Sequence, residues 1–155
     1  MAEFKRPSLT SGVYYQDPRA ALDWLEKAFG FEPSEVLTDS AGNIAHAQMS
    51  YGDGVIMVGC EYPAWDWCKS PASAGGKNTQ SIHLQVESGL DALFERARQA
   101  GAKVLREPVD QFYGDRSAMV ADPEGHIWSF GQTLKEMSYE EMKVAGNRID
   151  VRERL

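Results

Sequence analysis

The chain has 155 residues, 43% of them hydrophobic and 25% charged, which is enough to bury one core and ordinary for a globular domain. A formal net charge of −7 argues against nucleic acid as a partner, because phosphate-backbone binding runs on clustered Lys and Arg. No apolar run approaches the roughly 20 residues that span a bilayer. The polar residues 1–6 lack the apolar stretch of a signal peptide, so the expected location is cytoplasmic, with no membrane contact.

The first clear element is a helix. Asp17 caps it, Pro18 takes its first position, Leu22, Leu25, Ala28 and Phe29 form its apolar stripe, and Gly30 stops it. Strands follow at residues 44–51 and 55–60, joined by the tight turn Tyr51-Gly52-Asp53-Gly54. On the former, His46 shares a face with Gln48 and Ser50, opposite Ala45, Ala47 and Met49. Residues 61–79 read as a linker in which Tyr62, Trp65 and Trp67 crowd ahead of the flexible Ser73-Ala74-Gly75-Gly76. Exposed aromatics are costly unless they cover something, so these three either pack over the domain or line a binding surface. Cys60 and Cys68 belong to no CxxC pair and are expected as reduced thiols.

In the second half, Ser81, His83 and Gln85 alternate with Ile82, Leu84 and Val86, the period-2 mark of a half-buried strand. Ser88 is the expected cap of a second helix with the stripe Leu90, Leu93, Phe94 and Ala97 and the stop Gly101. Glu95, Arg96 and Arg98 form its solvated face. Strands at 117–121 and 126–131 flank the turn Asp122-Pro123-Glu124-Gly125, and Ser138-Tyr139-Glu140-Glu141 opens a third helix that runs to about Ala145.

These landmarks repeat. Asp17 to Ser88, Gly30 to Gly101 and Gly54 to Gly125 are each 71 residues apart, which marks a duplicated unit. Each unit runs strand, helix, strand, strand, strand, giving an α+β fold of two βαβββ modules with curled mixed sheets around a central cleft. Module one covers about 8–60 and module two about 80–133, and residues 134–155 form a tail that alternates Glu and Arg and could fray. The 71-residue offset carries the polar face of 81–87 back onto Thr10, Gly12 and Tyr14.

Asp17-Pro18, Ala28-Phe29-Gly30-Phe31, Gly54-Val55-Ile56-Met57, Ala100-Gly101-Ala102-Lys103-Val104, Tyr113-Gly114-Asp115-Arg116 and Asp122-Pro123-Glu124-Gly125-His126-Ile127-Trp128 stand in an order that resembles the vicinal-oxygen-chelate superfamily of glyoxalases, bleomycin-resistance proteins and dioxygenases, in its uncharacterised glyoxalase-like branch. The resemblance covers residues 8–133. It implies paired modules around a ligand cleft and a homodimer. It further implies that a divalent metal, where present, is held from the first and fourth strands of each module. Carried onto this sequence those positions are Thr10, Val58, Ser81 and Ser129, none of which is a His, carboxylate or thiolate. Catalytic metals take about three strong ligands, and hydroxyls are weak ones, so no metal cofactor is expected.

His83 stands near the centre of the expected cleft, either as a base and substrate partner or as a histidine satisfied by a neighbour such as Gln48. His46 lies at a strand start, where it is inward or solvated. His126 shares the helix-facing side with Trp128 and Phe130 and reads as structural. Arg116 stands at the expected cleft rim, where its guanidinium either grips a ligand carboxylate or pairs with Asp115 or Asp122. The expected ligand contacts are Tyr14, His46, Gln48, Tyr62, Trp65, Trp67, Ser81, His83, Phe112, Tyr113, Arg116 and Ser129. An aromatic box with a few polar groups suits a flat organic molecule. The leading expectation is therefore metal-independent binding or sequestration of a small, partly aromatic molecule. The alternative is a glyoxalase-like lyase, isomerase or dioxygenase that uses His83 as a base or an unconventional divalent-metal site of His46, His83 and Glu61. A third reading leaves the cleft idle and gives the work to a dimer surface.

Overall fold

Two mixed sheets of four strands carry the fold. In a computed structural model that describes residues 7–146, the first sheet comprises β1 (Ser11–Tyr15), β2 (Glu32–Thr38), β3 (Ile44–Tyr51) and β4 (Gly54–Cys60), in the order β1-β4-β3-β2. The second comprises β5 (Ser81–Val86), β6 (Lys103–Asp110), β7 (Asp115–Ala121) and β8 (Ile127–Thr133), in the order β5-β8-β7-β6. In each sheet the first strand runs parallel to the fourth and the other pairs are antiparallel. Helices α1 (Pro18–Phe29) and α2 (Leu90–Gln99) make the crossovers, and α3 (Tyr139–Ala145) follows β8. The two βαβββ modules are the ones the duplication implies. Residues 1–6 and 147–155, and with them the polar start and the end of the tail, lie outside the described residues.

Local chemistry sets the helix ends. The Asp17 carboxylate accepts from Ala20 N, Pro18 sits in the first turn, and Gly30 ends α1 in the left-handed region at φ 83°. Helix α3 has the full capping box, with the Ser138 hydroxyl accepting from Glu141 N and the Glu141 carboxylate accepting from Ser138 N. Helix α2 departs from expectation. Its cap residue is Gly89, at φ 79°, rather than Ser88, and no side chain of its own turn satisfies the first amides. Instead Gln132 on β8 accepts from Leu90 N at 3.0 Å.

The core lies where α1 and α2 pack on each other and on both sheets. Phe29 stands at its centre, with ring centroids 5.0 Å from Trp24, 5.0 Å from Trp128 and 5.5 Å from Phe130. Burying such rings against one another contributes several kcal/mol each, on the order of 3–5 by truncation. Polar groups tie the same seam. Asp122, only 4% exposed, accepts from Tyr15 OH, Trp128 Nε1 and the amides of Glu124 and His126. Trp24 Nε1 donates to Ala100 O across the helix pair. Arg96 is exposed, as expected of that face, and it also donates to Lys27 O and Glu26 O at the C-terminus of α1. A guanidinium there adds a charged donor to the last carbonyls and meets the negative helix end.

Candidate functional site

The strand ladders decide which side chains leave the core. Val58 pairs with Val13 and Ala47, so all three face the helix layer, and Val58 is fully buried. The residue on the helix-free face is Met57, paired with Gly12 and Gln48 and 37% exposed. In the second sheet the corresponding position is Ser129, paired with His83 and Met119. The expectation at Val58 is thereby corrected to Met57. Its cause is turn length: two residues separate Tyr51 from its partner Gly54, whereas three separate Asp122 from His126, whose carbonyl accepts from Asp122 N. One extra residue shifts the repeat by one, and in a strand that turns a side chain to the other face.

The four corrected positions are Thr10 just before β1, Met57, Ser81 and Ser129. Three hydroxyls and one thioether do not make the donor set of a divalent cation, and no group of three His, Cys, Asp or Glu able to hold a metal occurs among the described residues. Glu61 is turned to Ser70 N and the Ser73 hydroxyl rather than towards either histidine.

The free face of the second sheet carries a polar relay. His83 Nδ1 lies 2.8 Å from Ser129 Oγ and its Nε2 lies 3.0 Å from Gln85 Oε1, while Gln85 Nε2 donates to Thr133 Oγ1. Gln48 is not its neighbour; that amide lies 3.3 Å from His46, which is also 3.9 Å from Glu35. Among the described residues no hydrogen bond joins the His46–Gln48 pair to the His83–Ser129 pair. His126 is buried, its ring against Tyr15, with Nε2 donating to Tyr14 O at 2.7 Å.

The free face of the first sheet carries the Tyr14 ring beside Met57 and Gln48. The Tyr14 ring lies over Gly59, where an added Cβ would come within 2.9 Å of it, so glycine is required for the ring to lie flat. Burial raises the Tyr14 pKa, and the charge that the neighbouring Cys68 thiol can carry adds to the shift. Tyr62 donates to Ala45 O and pins the linker to β3. The Trp65 ring meets Tyr62 edge-on and stacks on Trp67 at 5.1 Å and 19°. Trp67, 74% exposed, lines a cavity of about 420 Å³ together with Tyr14, Met57, Cys68, Lys69 and Lys77. That volume falls within the range of small-molecule sites.

Of the expected ligand contacts only Tyr14 and Trp67 line this cavity; His46, Gln48, Tyr62, Trp65, Ser81, His83, Phe112, Tyr113, Arg116 and Ser129 do not. Arg116 pairs along β8 with Gln132, on the helix side, where Asp91 of α2 and Asp110 hold it at 2.8 and 2.6 Å and raise its pKa. It sits on neither free face, and its partners are not Asp115 or Asp122. Phe112 and Tyr113 meet edge-on in the β6–β7 turn, with Phe112 against Gly146 at the end of α3, and neither lines the cavity. Conversely, sequence reasoning missed Met57, Cys68, Lys69 and Lys77. Only the turn-length difference could have revealed Met57, and the others sit in irregular chain with no period to read.

Two βαβββ modules, the first with a sheet face bordering a cavity of ligand size, define the class of the fold. The profile of the Glyoxalase/Bleomycin resistance protein/Dioxygenase superfamily matches residues 9–130, and the chain belongs to that superfamily. An uncharacterised protein of Mycobacterium bovis is 35% identical over 94% of this chain and 95% of its own. Among solved structures, TioX from Micromonospora sp. ML1 is similar with a TM-score of 0.66 and 32% identity, over 83% of this chain and 100% of that one. TnmS3, an antibiotic binding protein from Streptomyces sp. CB03234, shares the fold at a TM-score of 0.59 and 18% identity, over 84% of this chain and 98% of that one.

Proposed function

We propose that this chain binds, and thereby sequesters, a small and partly aromatic organic molecule without the aid of a metal. The observation that carries the reading is the stacked Trp65–Trp67 pair, whose outer ring stands largely in water beside a cavity shared with Tyr14 and Met57. An indole left exposed beside a concavity gains most by covering a flat ligand, since stacking and burial then act together. That a protein of the same fold, TnmS3, is an antibiotic binding protein supports the class of ligand. Pairing of two chains into a homodimer in the cytoplasm is part of the proposal, with sedimentation as its check.

The second reading is an enzyme of glyoxalase-like lyase, isomerase or dioxygenase type. It is favoured by the His83 relay, in which a Gln85 carbonyl facing Nε2 leaves Nδ1 free to accept from Ser129. Titration separates the two. Planar aromatic antibiotics should quench the indole fluorescence, and Trp67→Ala should weaken binding about tenfold or more while His83→Ala leaves it unchanged. Silence across a broad panel would remove the binding reading. Stoichiometric nickel, zinc or iron that disappears with His83→Ala would replace it by the enzymatic one.

A further inference from the structure

The charge of the cavity runs against that of the chain. The protein carries a formal net charge of −7, yet two lysines, Lys69 and Lys77, line the cavity, and among the described residues no carboxylate does. Neither lysine has an ion-pair partner among the described residues. Glu61, whose carboxyl pKa Lys69 helps to lower, accepts from Ser70 N and from the Ser73 hydroxyl, and it does not line the cavity.

Anchored chain carries both ammonium groups. Lys69 is flanked by the buried Cys68 and Ser70. Beyond Lys77, Asn78 Nδ2 donates to Gly125 O and Gln80 Nε2 donates to Gly12 O, which ties the segment to both modules. Lysine stems are flexible, but their roots sit on chain that lines the cavity shared with Trp67 and Tyr14. In an acidic protein a cavity lined by two lysines and no carboxylate focuses field on itself, and it selects ligands by the sign of their charge.

We infer that the ligand is an anion, of the class of planar aryl carboxylates, with its ring against Trp67 and its carboxylate shared by Lys69 and Lys77. The inference rests on the binding reading above and adds the charge. Two compounds of the same shape test it: 2-naphthoate and its neutral isostere 2-naphthamide, titrated calorimetrically into the intact chain at about 20 mM salt, where screening is weak.

The acid should bind on the order of tenfold tighter than the amide. That preference should shrink at roughly 0.5 M NaCl and vanish in the double variant Lys69→Gln with Lys77→Gln, whose affinity for the amide stays as it was. Equal binding of acid and amide overturns the anion while leaving the aromatic site standing. A preference that survives in the double variant overturns the assignment to these lysines. If neither compound binds, the inference falls together with the reading beneath it.

Discussion

The two modules share strand order, parallel and antiparallel pairing and the position of the helix, yet they spend their free faces differently. The second sheet offers a hydrogen-bonded row, His83, Ser129, Gln85 and Thr133. The first offers Tyr14 flattened on Gly59, beside a cavity that Trp67 of the linker also lines, together with the His46–Gln48 pair. The helix-facing sides, by contrast, are apolar in both and meet in one seam. Duplication therefore preserves what the core needs and leaves the open faces free to diverge, because only the former are constrained by close packing. Stability should reside in the seam and ligand selection on the faces.

Variants can break that division, beginning with the largest expected effect. Phe29→Ala empties the centre of the seam and should cost about 3–5 kcal/mol in urea unfolding, with both modules lost in one transition. Two separate transitions would show that the modules fold independently. Asp122→Ala leaves the Tyr15 hydroxyl and the Trp128 indole N–H buried without their acceptor and should cost about 3 kcal/mol. Trp67→Ala, by the same assay, should change stability by no more than about 0.5 kcal/mol, although it cripples binding. A large loss there would make the linker aromatics structural. Arg96→Ala should cost about 1 kcal/mol, because two carbonyls at the end of α1 lose a charged donor. Arg98→Ala, which only loses the exposed Glu95, should leave the unfolding midpoint where it is.

What the sequence disclosed and what it hid follow the same division. The α1 cap, the capping box of α3 and the strand alternation through His83 are local, and the repeat carries them from one module to the other. Ser88 and Val58 misled for one reason: the second module is a residue longer in two loops, and a constant offset of 71 cannot absorb that. Gly89 takes the cap of α2 instead, and Met57 is the residue the ladders select. Arg116 and Arg96 were hidden differently. Each is satisfied by an element distant in sequence, Arg116 by Asp91 at the start of α2 and Arg96 by the carbonyls of α1, and no short-range pattern announces such a partner. The cavity lysines were out of reach because irregular chain has no periodicity from which to infer a face.

The smallest effect contrasts the two helix starts that this comparison sets apart. The Glu141 carboxyl, held by Ser138 N and Lys135, titrates at about 2 instead of 4.5. A carboxyl whose folded pKa is depressed contributes stability above its ordinary pKa and loses it as the pH falls towards the lowered value. The start of α3 should therefore fray between about pH 4.5 and pH 2, and the Cα chemical shifts of Tyr139, Glu140 and Glu141 should drift towards coil values. Helix α2 is capped by the neutral amide of Gln132, which has no proton to gain, so the shift of Leu90 should move less over the same window. Equal drift in both helices would mean global acid unfolding rather than loss of a cap. A flat response in α3 would mean that Ser138 alone holds that terminus.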